Sequence, residues 1–261
     1  MTAPTTRAAL LVPRVNTPGL VTAAGLLAAW QALVSTGVIT FVFLPGPLAI
    51  AARMPALLGS ATFWQDYGHT LTYSLSGWGM GAAVGIVVGS ALGISKALRQ
   101  WTTTSLTVLR LIPAIALLPI AALIFGLSAD LELALVTYVA TWPVLVSTAG
   151  GIEKVDPLLR DVARTLRISR LRELTQVVVP SAIGPILVGL RLSLSSALVL
   201  AIVSEMIGNP AGLGNAINMA RNALKPELTF CYIIVVGVTA IGLNGIFNAL
   251  SRVLVPGGGQ R

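Results

Sequence analysis

Lys154 to Pro180 reads KVDPLLRDVARTLRISRLRELTQVVVP. Six bases and three acids fall in this stretch, while the chain on either side of it is long, apolar and nearly free of charge. A polar, helix-forming insert between two membrane spans cannot stay in hydrocarbon, where charge is costly, so it projects into water. Its surplus of Arg and Lys assigns that water to the cytoplasm, because retained loops carry the positive charge.

Composition agrees. The 261 residues are 55% hydrophobic and only 10% charged, with a mean hydropathy of +0.87. A soluble domain carries about a quarter charged residues. The apolar residues come in long runs, which reads as a polytopic membrane protein. The pI near 10.6 does not argue for nucleic acid. The bases cluster at the ends of apolar runs, where topology and anionic lipid explain them, and no basic face interleaved with aromatics exists. One cysteine, Cys231, excludes an internal disulfide. That cysteine and the single histidine, His69, lie far apart, a pattern that does not suggest a metal site. His69 reads as an interfacial residue at the outer end of the second span.

A bilayer-crossing helix needs about 20 mostly apolar residues. Six segments qualify, at roughly 18–40, 70–95, 104–126, 131–150, 180–206 and 229–253. The first is too long for a cleaved signal, whose apolar core is about 7–15 residues, and reads as a retained span. With the N-terminus inside, the cytoplasmic set of bases is Arg7, Arg14, Lys96, Arg99, Lys154, Arg160, Arg164, Arg167, Arg170, Arg172, Arg252 and Arg261. The outer set is Arg53, Arg221 and Lys225. Twelve against three puts both termini in the cytoplasm. The chain divides into a tail at 1–17, a transmembrane domain at 18–255 with its cytoplasmic loop at about 153–179, and a tail at 256–261. Two outer segments, Leu48 to Trp64 and Gly212 to Leu224, read as short amphipathic helices at the membrane surface.

The second span carries Gly77, Gly81, Gly85, Gly89 and Gly93, each four residues apart. Small residues so spaced let two helix backbones approach closely in lipid. The row drifts around a 3.6-residue helix, so it serves a right-handed crossing or more than one neighbour. A loose G-x-G-x-x-A at Gly77, Gly79 and Ala82 is not a dinucleotide site, because no strand precedes it. No G-x-x-x-x-G-K-[ST], paired His, H-E-x-x-H or G-x-S-x-G occurs. The chain therefore carries no nucleotide-hydrolysis or catalytic constellation, and no cofactor site. Any ATP-driven motor belongs to another polypeptide.

Within the insert, Asp156-Pro157 is a helix start, with Asp as N-cap and Pro at the first helical position. Leu158, Leu159, Val162, Ala163 and Leu166 recur at helical spacing. Ser169 starts a second short helix that runs toward Pro180. The residues alone leave two readings open: a solvated amphipathic loop, or a docking element.

Asp161-Val162-Ala163, with Pro180 in register, resembles the "EAA" loop of permease subunits of binding-protein-dependent ABC importers. The pattern departs at Arg167, where that family has the Gly of the turn. Arg in a left-handed turn costs about 1 kcal/mol or more, so either the turn is not left-handed or Arg167 gains a compensating contact. Further pieces, in chain order over about residues 44–255, are similar to the sulfonate/nitrate/taurine branch. They are Leu44-Pro45-Gly46-Pro47, the run Arg110-Leu111-Ile112-Pro113-Ala114-Ile115-Ala116-Leu117-Leu118-Pro119, Gly189-Leu190-Arg191, Ser204-Glu205-Met206 and Gly212-Leu213-Gly214.

The resemblance implies an all-α integral membrane fold with six transmembrane helices, the type I ABC importer permease fold with cytoplasmic coupling helices. It implies a homodimer of this chain forming the path, and two cytoplasmic ATPases that bind ATP and Mg²⁺ beneath it. An extracytoplasmic solute-binding protein delivers a small anionic solute such as a sulfonate, taurine or nitrate. On the same resemblance, the ATPases would grip the insert through Asp161, Val162, Ala163, Arg164, Leu166, Arg167, Ser169 and Arg170. Arg110, Pro113, Arg191, Ser195 and Glu205 are the candidates for translocation or gating.

Charge inside a span usually faces protein or water, since it costs about 2.5–3.5 kcal/mol on insertion scales. Arg191 and Glu205 lie about 21 Å apart along one helix and cannot pair with each other. Each reads as an interhelical contact or as part of the path. Pro113 and Pro119 free backbone carbonyls and kink the third span, as a hinge or as plain packing. The alternative function is an ion- or proton-coupled secondary transporter, but the halves of the chain show no inverted repeat.

Overall fold

The computed structural model describes residues 17–41, 43–156, 158, 165–166 and 168–254. Its regular elements among these residues are helical. They are α1 (Thr17–Ser35), α2 (Pro47–Leu58), α3 (Ala61–Ile94), α4 (Lys96–Leu111), α5 (Leu118–Phe125), α6 (Ala129–Glu153), α7 (Arg170–Glu173), α8 (Val179–Gly208), α9 (Leu213–Asn222) and α10 (Pro226–Leu254). Five helices are long and apolar enough to cross a bilayer, and the α4–α5 pair makes a sixth if counted as one bent span.

α6 is the central element, packed between α3 and α8. The five glycines of α3 all face this one neighbour. A Cβ on Gly77 would lie 2.6 Å from Val136, one on Gly81 2.7 Å from Ala140, one on Gly85 2.8 Å from Val144, one on Gly89 2.8 Å from Thr148, and one on Gly93 2.6 Å from Ile152. The partners on α6 are themselves four residues apart. A seam repeating every four residues exceeds the 3.6 of the helix, so it persists along both helices only if they wrap around each other right-handed. Of the two expectations for this row, several neighbours or one close crossing, the row meets one neighbour.

The third expected span, 104–126, is not one helix. α4 ends at Leu111, and the chain bends by 80° before α5. Pro113 explains the break. It restricts Ile112 to extended backbone (φ −67°, ψ 118°) and cannot donate to the carbonyl of Leu109. That carbonyl instead accepts the Tyr138 hydroxyl at 2.7 Å and the N–H of Ile112 at 3.2 Å. α4 buries none of its residues. Its end nearest the insert is tied to α6 by Arg99 Nη2 and Glu153 Oε1 at 3.0 Å.

The expected surface helix 48–64 is also shorter than read. α2 stops at Leu58, Gly59 and Ser60 turn the chain, and Trp64 lies in α3, where its indole N–H caps Leu58 O at 2.8 Å. Around this corner the rings of Phe63, Tyr67 and Tyr232 pack at tilted angles in one cluster with Ile50, Leu57 and Cys231, joining α2, α3 and α10.

In the insert, Asp156 Oδ1 accepts the N–H of Leu158 at 2.8 Å, the N-cap expected there. The second insert helix starts after Ser169 but does not stop at Pro180. α7 runs through a π-helical stretch, Leu174–Val178, into α8. The wide turn sits just before Pro180, which has no N–H to continue an ordinary ladder. Insert helix and membrane helix thus follow each other without a break in helical structure.

Candidate functional site

At the end of the bundle opposite the insert, the start of α3, the start of α6 and the end of α8 converge under the N-terminus of α9. Four charged or titratable side chains meet there: Asp66 and His69 on α3, Glu132 on α6 and Glu205 on α8. Glu132 is 0% exposed and Glu205 1%.

The two buried carboxylates are each held from more than one element. Glu205 Oε1 accepts the Thr70 hydroxyl at 2.7 Å, and its Oε2 accepts the Gly214 N–H at 2.8 Å. The positive end of the α9 dipole adds to that bond. Glu132 Oε2 accepts Asn209 Nδ2 at 2.8 Å and lies 3.2 Å from His69 Nε2. Asn209 Nδ2 also donates to His69 Nε2 at 2.9 Å, and its Oδ1 accepts the N–H of Ala211. Asp66 Oδ1 accepts the Gly212 N–H at 3.2 Å. One carboxylate oxygen of Glu132 and one of Glu205 lie within 4.8 Å of each other.

Local sequence makes this approach possible. Gly212 has φ +94°, and a Cβ there would stand 2.2 Å from the Glu205 carboxyl. A Cβ on Gly214 would stand 2.1 Å from the backbone oxygen of Ile202. Gly212-Leu213-Gly214 is therefore the only kind of sequence that lets α9 bring its N–H groups onto Glu205.

The residues singled out from the sequence scatter more widely. Glu205 is buried in the cluster. Arg191 and Ser195 lie on an exposed face of α8, and Ser195 bonds Asn244 of α10 at 3.1 Å. Arg110 lines a groove of about 260 Å³ between α4 and α6, with Arg99, Trp142 and Glu153. Pro113 sits at the α4–α5 break. Leu166 and Ser169 are exposed, and Arg170 opens α7. Asp161, Val162, Ala163, Arg164 and Arg167 lie outside the described residues. The structure thus brings Glu205 together with none of the other gating candidates.

Sequence reading missed Glu132, Thr70 and Asn209, and it placed His69 at the interface without partners. Glu132 did carry a signal: it is an acid just inside an apolar span, where charge needs a reason.

Residues 81–257 match the family of binding-protein-dependent transport system inner membrane components. A protein named "Putative aliphatic sulfonates transport permease protein SsuC" from Bacillus subtilis (strain 168) is 30% identical over 91% of this chain and 86% of its own. The taurine transport system permease protein TauC of Escherichia coli (strain K12) is 28% identical over 92% of this chain and 89% of its own. Among solved structures, an inward-facing conformation of the MetNI methionine ABC transporter superposes with a TM-score of 0.67. It covers 78% of this chain and 98% of that one at 15% identity, a likeness of fold.

Proposed function

This chain belongs to the binding-protein-dependent transport system inner membrane components, as a multi-pass permease subunit of the sulfonate, nitrate and taurine branch of ABC importers with the type I fold, and from that premise we propose that it forms the path for a small anionic sulfonate-like solute. Permeases of this family carry no ATPase site. Two copies of the chain enclose the path. Two cytoplasmic ATPases, binding ATP and Mg²⁺, seize the insert between α6 and α8, and a solute-binding protein delivers cargo at the opposite, α9 end. Both termini face the cytoplasm.

The observation that carries this reading is the basic insert itself, in a chain whose relatives are permeases. Because α7 passes without a stop into α8, a push on the insert is transmitted along helical structure that reaches Glu205. Closure of the ATPases draws the two inserts together and turns the path from inward-open to outward-open. The relatives named for aliphatic sulfonates and taurine support a sulfonate as cargo.

The test is co-purification of the partner ATPase with the full-length chain, and with a variant in which Asp161 and Arg164 through Arg172 are replaced by Ala and Ser. At least tenfold lower recovery with the variant is expected. Equal recovery would remove the docking role. Uptake that persists without ATP and collapses with the proton gradient would favour a secondary carrier instead.

A further inference from the structure

We propose that Glu132, Glu205 and His69 form a binding site for one divalent transition-metal ion, with Zn²⁺ or Mn²⁺ as the fitting chemistry. The starting point is charge. Two carboxylates lie buried and face each other. Among the described residues neither is paired with Lys or Arg, and the nearest basic group is the His69 imidazole, 3.2 Å from Glu132 Oε2. Isolated buried charge is so costly that such groups are paired, protonated or metal-bound. One dication neutralises the pair without further help.

The hydrogen-bond inventory points the same way. Three of the four carboxylate oxygens have donors: Thr70 and Gly214 on Glu205, Asn209 on Glu132. The fourth, Glu132 Oε1, is fully buried and has no hydrogen-bond partner. The Glu132 side chain is thus aimed into the cluster with one coordinating oxygen unspent.

Geometry and ligand chemistry fit. One ligand atom from each of His69, Glu132 and Glu205 lies within 4.8 Å of the others. Bonds of about 2.0–2.2 Å in a tetrahedral shell give ligand–ligand edges of about 3.3–3.6 Å. His69 Nε2 and Glu132 Oε2 already stand 3.2 Å apart. An imidazole with two carboxylates suits Zn²⁺ or Mn²⁺ better than an all-oxygen cation such as Ca²⁺. Thr70, the Gly214 N–H and Asn209 hold the carboxylates from behind, the outer-shell bonding that metal sites show. The His69 side chain is 18% exposed, which leaves the ion a route in from the surface. On binding, His69 Nε2 exchanges its hydrogen bond from Asn209 for the metal, and Asn209 keeps Glu132. The sequence expectation of no metal site rested on one His and one Cys, and counted neither glutamate as a ligand.

The experiment uses the full-length chain purified in detergent, stripped with EDTA and dialysed separately against Zn²⁺ and Mn²⁺, with bound metal counted by mass spectrometry. About one ion per chain is expected, with at least tenfold weaker binding in His69→Ala and Glu132→Gln. Zn²⁺ should raise the thermal midpoint of the parent protein and leave that of Glu132→Gln unmoved. His69→Ala, at a partly exposed position, serves if Glu132→Gln fails to fold. Stoichiometric binding that both variants retain places the ion elsewhere and overturns the proposal. So does an absence of bound metal together with a protonated-carboxyl infrared band that Glu132→Gln removes, since the pair then shares a proton. Either result leaves the ATPase-docking test untouched.

Discussion

Thr70 on α3 donates its hydroxyl proton to Glu205 on α8 at 2.7 Å, and the same Thr70 oxygen accepts the N–H of Leu213 at 2.9 Å. One hydroxyl thus joins two long helices and the first turn of α9. Thr70→Val keeps the shape and removes both bonds. It leaves a buried carboxylate oxygen and a buried N–H short of a partner, at about 1–3 kcal/mol. A lowered thermal midpoint in detergent is expected for Thr70→Val, with most of the loss recovered in Thr70→Ser. An unchanged midpoint in Thr70→Val would mean that the two hydroxyl bonds carry no stability.

The α3–α6 seam should tolerate no added carbon. Gly81→Ala and Gly89→Ala would each place a Cβ 2.7 Å from a carbonyl oxygen of α6, against backbone that cannot swing aside. A cost of about 1–3 kcal/mol each is the normal range for overpacking. Gly79, on the same helix, has nothing within 4 Å of its Cβ position. Gly79→Ala should be neutral or stabilising, since Ala is the better helix former by about 1 kcal/mol. Unfolding midpoints of the three variants decide it, and a neutral Gly89→Ala would refute the seam.

Tyr138 and Pro113 should couple. Removing the Tyr138 hydroxyl leaves the Leu109 carbonyl to Ile112 alone, so Tyr138→Phe should cost about 0.5–1.5 kcal/mol. Pro113→Ala supplies an N–H at the position that continues the helix onto that carbonyl. In its background the cost of Tyr138→Phe should shrink. Additive losses in a double-mutant cycle would show that the two groups do not share the carbonyl.

The class of this protein was legible because hydropathy and charge are local. Apolar runs marked the spans, and the surplus of Arg and Lys in Lys154–Pro180 marked the insert. Proline chemistry placed the start of α2 and the kink between α4 and α5 to within a few residues, but the end of α2 fell six residues before the expected Trp64. The row of glycines announced a close helix contact. Whether it meant one neighbour or several depended on where α6 lay, and nothing within α3 encodes that.

The polar cluster was legible only in fragments. Glu205 stood out as a charge inside a span, and Gly212-Leu213-Gly214 as part of a resemblance. The partners of Glu205 lie up to 135 residues away in sequence. Hydrophobicity acts through each residue's own side chain, so sequence alone determined that the chain inserts into a membrane and where it loops out. A buried carboxyl needs particular donors at about 3 Å, and only the packing of α3, α6, α8 and α9 decided which residues those are.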